Sequence, residues 1–120
     1  MSELANLFMW RRDDVVVAGV TGEIDVSNAD ALEVAILREV DNQAAGLVID
    51  LAGLSFMDSS GVHLMFHFAA ALRERRQHFA IVLPPDAPPR RVLELSGPEL
   101  RRAIHDTEDA AIEAVVRASQ

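Results

Sequence analysis

The chain has 120 residues, of which 50% are hydrophobic and 25% are charged, so it is long enough to bury a core and too apolar to be disordered. Its 19 acidic and 11 basic residues give a formal net charge of −8. This charge opposes a nucleic-acid role, because affinity for phosphate backbones comes mostly from lysine and arginine. The absence of cysteine excludes disulfides, thiolate catalysis and cysteine-ligated metals. We expect one domain over residues 1–120.

The sequence also gives no sign of a membrane segment or a secretion signal. No apolar run reaches the roughly 20 residues that a transmembrane helix needs. The start, Met1-Ser2-Glu3-Leu4, lacks the basic and apolar parts of a signal peptide. We therefore expect a cytoplasmic protein with no membrane insertion, and a monomer, because no apolar stripe is left over for self-association.

The chain opens with the pattern of a β-hairpin. Two apolar runs, 4–11 and 15–20, are separated by Asp13-Asp14, which suits a tight turn. Thr21-Gly22 is predicted to close the second strand. The hairpin would stand at the beginning of a sheet.

A helix is predicted to follow the hairpin. Ser27 is its predicted N-cap, with Asp30 at the capping-box position, and the helix is predicted to run to about Val40. The residues predicted on its buried side are Ala31, Leu32, Ala35, Ile36 and Val40.

The rest of the chain alternates strands and helices. The predicted elements are, in order, a buried strand at 47–51, a helix at 60–76, a strand at 78–83, a short helix at 90–95, a weak strand at 103–105, and a helix capped by Thr107 that ends near Arg117. Pro98 is interpreted as a turn. This order predicts an α/β fold, with a mixed sheet of about five strands and about four helices.

The segment LVIDLAGLSFMDSSGVHLMF places Asp58, Ser59, Ser60 and Gly61 between a buried strand and an apolar helix. One interpretation makes Ser59 the N-cap of that helix. The other makes it a hydroxyl displayed for modification. Gly61 removes a side chain where another backbone or a phosphate donor would approach, and a helix start tolerates an added phosphate well.

A narrow polar stripe runs down the helix that follows the serines. At 100° per residue, Ser59 or Ser60 heads a face that continues through His63 and His67. A partner that reaches this face would contact the serine and the histidines together. The simpler interpretation of both histidines is solvent exposure.

Metal binding is considered and not favoured. His63 and His67 have the spacing of two ligands on one helix face, but no third ligand and no intervening glutamate accompany them. Glu23, Asp25 and Asp58 form an acidic set that would suit magnesium, yet loop acids and helix caps explain them more simply. We expect no metal and no cofactor.

Catalysis by the chain itself is also not favoured. The serines lack the Gly-x-Ser-x-Gly elbow of α/β-hydrolases, and Asp58 next to Ser59 cannot replace a positioned histidine base. There is no glycine-rich phosphate loop, so nucleotide hydrolysis has no support. We do not expect an enzyme.

Three segments together resemble a known family. LSFMDSSGV resembles the signature of STAS domains of the anti-sigma factor antagonist type. VTGEIDVSNADAL and RRVLELSGPELRRAIHDTEDAAI are similar to the family's second strand with the first helix start, and to its C-terminal third. The resemblance covers about residues 5–117 and implies the STAS fold.

The resemblance implies a concrete function. Family members bind a kinase-type anti-sigma factor and so release a sigma factor. The kinase, which supplies ATP and Mg²⁺, phosphorylates the first serine of Asp-Ser-Ser-Gly, here Ser59, and the phosphorylated form lets go. A PPM-type phosphatase restores the active form. The expected partner-binding residues are Asp25, Asp58, Ser60, Gly61, His63 and His67.

One departure and one alternative accompany this resemblance. The family often has a small pattern such as Gly-Leu-Gly after the serines, where this chain has Gly61-Val62-His63, and His63 is expected to bear on partner choice. The alternative is a STAS protein-interaction module of a sensory complex, or an accessory of a membrane lipid transporter.

Overall fold

The computed structural model describes residues 4–120. Within this range the elements are β1 Ala5–Arg12, β2 Val15–Ile24, α1 Ala29–Leu37, β3 Gly46–Asp50, β4 Leu54–Met57, α2 Ser59–Glu74, β5 His78–Val82, α3 Arg90–Glu94, α4 Pro98–Ala103, β6 Ile104–His105 and α5 Glu108–Ala118. The interpretation of the chain's start falls largely on Met1, Ser2 and Glu3, which lie outside the described residues.

The strands form one mixed sheet in the order β1-β2-β3-β5-β6. β1 and β2 are antiparallel, and the other neighbours are parallel. The hairpin turn lies at Asp13 and Asp14, whose φ angles of 52° and 64° are the positive values that a tight two-residue hairpin turn requires. β3 pairs with the first half of β2, and β4 pairs with the end of β2 in parallel. The predicted α/β class and the N-terminal hairpin are confirmed.

Two elements of the structure, β4 and α4, were not predicted, and the second strand is longer than predicted. β2 continues to Ile24 through Gly22, whose φ is 93°. A Cβ on Gly22 would lie 2.1 Å from the carbonyl oxygen of Leu4, so only glycine lets β1 pass this closely. β4 is a short strand in a segment that was predicted to be a connecting loop. α4 begins at Pro98, because proline fits the first turn of a helix as well as a turn.

The first helix is shorter than predicted. α1 ends at Leu37 instead of about Val40, and Ala31 is exposed although it was predicted to be buried. Leu32, Ile36 and Val40 are buried as expected. The helix therefore buries a narrower face than the sequence indicated.

The sheet separates two apolar clusters. Alternate residues of β2 point to opposite faces, with Val16, Ala18 and Val20 on one side and Val15 and Val17 on the other. α1 and α2 cover the larger cluster, and α5 covers the smaller one. The buried side chains that these two helices contribute to the larger cluster include Leu32, Ile36, Leu64, Met65, Phe68 and Leu72. Burying one side chain of this size contributes ~1.5–3 kcal/mol, so α1 and α2 are firmly held.

Candidate functional site

The candidate site begins where β4 ends and α2 starts. The amide of Asp58 donates to the carbonyl oxygen of Ile24 at 3.2 Å, which ties the end of β4 to the end of β2. Asp58 is the N-cap of α2: its Oδ1 accepts from the Ser60 amide at 2.8 Å. The prediction that Ser59 is the cap is wrong, because the neighbouring carboxylate already satisfies the amide that a capping serine would serve.

Ser59 is the first residue of α2 and is exposed to solvent. Within residues 4–120, its hydroxyl makes no hydrogen bond to a protein group. The first amides of a helix carry partial positive charge, and they surround this position. The hydroxyl is therefore accessible, not committed to the fold, and located where a negative group is tolerated.

Gly61 lies beneath the serines and is buried. A Cβ at this position would lie 2.8 Å from Cβ and 3.1 Å from Sδ of Met57. The sequence predicted that glycine makes room for another backbone or a phosphate donor, and the structure shows that the side chain of Met57 takes this space. Gly61 therefore lets α2 start directly against the end of β4.

The start of α1 lies beside the start of α2. Asn28 is its N-cap and is only 1% exposed. The Asn28 Oδ1 accepts from the Asp25 amide at 3.0 Å, and its Nδ2 donates to the Glu23 carbonyl at 2.9 Å. The predictions of Ser27 as cap and Asp30 as capping-box partner are wrong. The amide of Ser27 instead donates to Asp25 Oδ1 at 2.8 Å.

The sheet brings the two acidic positions of the site together. Ile24 pairs with Met57, so Asp25 and Asp58 follow neighbouring strand ends at one edge of the sheet. Each carboxylate accepts from a backbone amide close in sequence. Over residues 4–120, no group of histidines and carboxylates has an arrangement that would hold a metal ion.

A shallow groove of about 160 Å³ separates the two helices next to Ser60. Its walls are formed by Val26, Ala29, Asp30 and Glu33 from the α1 side, and by Ser60, His63, Leu64 and His67 from the α2 side. Both histidines are exposed, as their spacing along the helix predicted. The Nδ1 of His67 lies 2.9 Å from Oε1 of Glu33, which links the two helices across the groove.

Two exposed apolar residues near the serines were missed in the sequence. Val26, in the groove wall, is 80% exposed, and Phe56, in β4, is 50% exposed. Apolar residues in or next to strands are usually buried, so the identity of these two residues did not indicate that they are exposed. The site therefore combines a free hydroxyl, two carboxylates, two histidines and apolar contact area.

Comparison with known proteins now assigns the family. The family model of the STAS domain matches residues 9–111. The chain belongs to the STAS domain family. An anti-sigma factor antagonist from Mycobacterium paratuberculosis has a similar crystal structure, with 32% identity, a TM-score of 0.79, and coverage of 92% of this chain and 93% of that one.

Two further known proteins are similar to this chain. BtrV of Bordetella bronchiseptica, assigned as an anti-sigma factor antagonist, is 29% identical over 92 residues, which are 76% of this chain and 78% of BtrV. The Bacillus cell-fate determinant SpoIIAA, solved in its phosphorylated form, is 27% identical, with a TM-score of 0.68 and coverage of 92% and 98% of the two chains. These neighbours confirm the STAS fold for this chain. None of the helices between residues 4 and 120 has the length and apolar character to cross a bilayer.

Proposed function

We propose that this STAS protein is an anti-sigma factor antagonist, acting as a single cytoplasmic domain and as a monomer. It binds a kinase-type anti-sigma factor and thereby releases a sigma factor. Phosphorylation of Ser59 ends this binding, and a PPM-type phosphatase restores it. The observation that carries the proposal is the exposed hydroxyl of Ser59. Because Asp58 caps α2, the Ser59 hydroxyl is not needed for capping and stays free.

The chemistry of the switch requires little from this chain. The Ser59 oxygen attacks the γ-phosphorus of ATP held by the kinase, ADP leaves, and the hydroxyl proton passes to a base. The carboxylate of Asp58 is held by the amide of Ser60, so we assign the base to the kinase. The STAS domain contributes an accessible hydroxyl and no catalysis of its own.

A phosphate at Ser59 would change the charge of the surface more than its shape. It adds about −1.5 to −2 charges beside Asp25 and Asp58, on a chain that already carries −8. The amides of the first turn of α2 would accommodate the new charge, so the fold is retained. Repulsion of an acidic partner surface and of the kinase's own nucleotide phosphates would then end the complex.

The surroundings of Ser59 supply the proposed docking surface. Val26 and Phe56 offer apolar area, and the polar contacts come from Asp25, Asp58, Ser60, His63 and His67. Gly61 acts indirectly, because it is buried and sets the position of α2 against Met57. His63 faces the groove one turn after Ser59, and we propose that it influences which kinase is accepted.

Titration calorimetry with each kinase-type anti-sigma factor of the same source tests this function. Wild type and Ser59→Ala are expected to bind one of them with similar affinity, and Ser59→Asp to lose at least tenfold because it imitates part of the phosphate charge. Ser60→Asp is the matched control, with the same charge one residue away, and should lose less. If no kinase binds wild type, the protein is instead a STAS module of a different complex.

A further inference from the structure

A second charged surface lies at the other end of α2. Arg76 and Arg102 are exposed, and within residues 4–120 neither side chain forms an ion pair or a hydrogen bond. Arg73, one turn before Arg76, pairs with Glu99 of α4. Arg38, Arg91 and Arg101 also have no such partner among the described residues; Arg76 and Arg102 differ from them because they line two grooves that border the same strand, β5.

These arginines border the open edge of β5. β6 pairs only with Ile81 and Val82, so along the described chain the first residues of β5, His78–Ala80, have no strand on that side. A groove of about 500 Å³ runs along one side of this edge, with Arg73 and Arg76 in its wall. A groove of about 230 Å³ runs along the other, with Arg102 in its wall. His78 and Phe79 line both grooves.

We call this surface the β5 edge groove and define it by Arg73, Arg76, His78, Phe79, Arg102 and His105. Burial lowers the pKa of His105, which favours the neutral imidazole at neutral pH. Phe79 is partly buried and adds an apolar floor between the charged walls. Glu99 also lies in the wall of the larger groove and pairs with Arg73, so the unneutralised positive charge comes from Arg76 at one rim and Arg102 at the other.

The backbone of Arg76 gives independent support for a role of its side chain. Arg76 follows the C-cap of α2 and has a φ of 58°, in the left-handed region. Glycine is the usual residue at this position of a helix end, because a Cβ there is strained. Strain of this kind tends to persist where the side chain has a function. The chain has an arginine that lines the groove at a position where glycine would be less strained.

We infer that the β5 edge groove binds an extended acidic segment of a partner protein, with carboxylates on Arg76 and Arg102 and an apolar side chain on Phe79. Arginine suits this role because its planar guanidinium binds carboxylates through two parallel hydrogen bonds. A nucleic acid is disfavoured, since the groove offers no exposed aromatic ring on which bases stack and the chain as a whole is acidic.

The groove is remote from Ser59. α2 has 16 residues, and at 1.5 Å per residue its two ends are about 22 Å apart. The segment would therefore bind whether or not Ser59 is phosphorylated and whether or not a kinase is docked. This inference does not rest on the proposed function, and either one can fail without the other.

Fluorescence anisotropy with a defined probe tests the inference. The probe is a fluorescein-labelled peptide of sequence Glu-Asp-Leu-Glu-Leu-Asp-Glu, titrated with the full chain at low salt. Wild type should bind, and the double variant Arg76→Gly, Arg102→Gln should bind about tenfold more weakly, since two exposed charge pairs are lost. The Arg76→Gly change should leave the melting temperature unchanged or higher, because it relieves the left-handed strain, so weaker binding cannot be attributed to unfolding.

The matched control is Arg11→Gln, Arg12→Gln, which removes the same charge from β1 at the opposite edge of the sheet. Its affinity for the peptide should stay within about twofold of wild type. Equal loss in both double variants would overturn the inference, since the peptide would then respond only to net charge. No binding by wild type, or tighter binding of a labelled single-stranded oligonucleotide of equal charge, would also overturn it.

Discussion

The starts of α1 and α2 lie side by side and look alike in sequence, yet they use their polar residues in opposite ways. At α1, the side chain of Asn28 turns back and holds the end of β2 through the Asp25 amide and the Glu23 carbonyl. At α2, the side chain of Asp58 reaches forward to the Ser60 amide and leaves Ser59 outside. One helix start is committed to the fold, and the other has a spare hydroxyl. The Ser59 hydroxyl can therefore be modified with little loss of stability.

The largest loss of stability is expected at Asn28. Asn28→Ala leaves the Asp25 amide and the Glu23 carbonyl without their buried partner, which should lower the free energy of unfolding by about 2–3 kcal/mol. Ser27→Ala, at the exposed neighbour, loses only the solvent-accessible hydrogen bond from its hydroxyl to Oδ1 of Asp25 and should change it by no more than about 1 kcal/mol. Urea unfolding measures both variants. Equal effects would mean that Asn28 does not anchor the start of α1.

Gly61→Val should produce the next largest loss. Its new side chain meets Met57 at a distance no Cβ tolerates, and overpacking of this kind costs about 2 kcal/mol. Ser59→Val is the matched control, because it places the same β-branched residue in the same helical turn but in solvent. The difference in urea midpoint between the two isolates the contact with Met57. If the two variants have the same urea midpoint, α2 is not packed against β4 as described.

Removing the cap of α2 should have a smaller effect. Asp58→Ala loses the bond to the Ser60 amide, and a lost N-cap costs about 1 kcal/mol. Asp58→Asn should retain most of the stability, because asparagine caps helices about as well as aspartate. Thermal unfolding of the three proteins at one pH makes the comparison. If Asp58→Ala unfolds at the same temperature as wild type, another group caps the helix.

Ser59→Ala should have the smallest effect, within about 0.5 kcal/mol of wild type. The reason is that the Ser59 hydroxyl has no hydrogen-bond partner within the described residues. A capping serine would instead cost about 1 kcal/mol when truncated. Thermal unfolding of Ser59→Ala beside the Asp58 variants therefore decides between Ser59 and Asp58 as cap. A loss as large as that of Asp58→Ala would contradict a free hydroxyl.

The longer helices and strands of this fold could be predicted from the sequence, and the short strand β4 could not. The hairpin, the buried strand β3 and the capped α5 follow from runs of apolar residues and from Thr107, whose hydroxyl accepts from the Ala110 amide as predicted. β4 was missed because it has four residues, of which Ser55 and Phe56 are exposed. Such a segment has no periodicity to detect, and its pairing with β2 is a tertiary contact.

The strand-to-helix junction at residues 58–61 was located correctly in sequence, but the capping roles of the residues at the two helix starts were not. Where two residues that can both cap stand next to each other, as in Ser27-Asn28 and Asp58-Ser59, intrinsic preference does not decide which side chain reaches the helix amides. The path of the preceding strand decides it, through the pairing of Ile24 with Met57. The same pairing places Asp25 beside Asp58, which no spacing rule reveals.

Mapping the phosphate tests the central claim most directly. Wild type, Ser59→Ala and Ser60→Ala would each be incubated with ATP, Mg²⁺ and the kinase-type anti-sigma factor that binds wild type, then analysed by intact-mass and peptide mass spectrometry. A free, exposed Ser59 predicts one phosphate on wild type and on Ser60→Ala, both at Ser59, and none on Ser59→Ala. A phosphate on Ser60, or an unmodified Ser59 in a chain that the kinase binds, would contradict it.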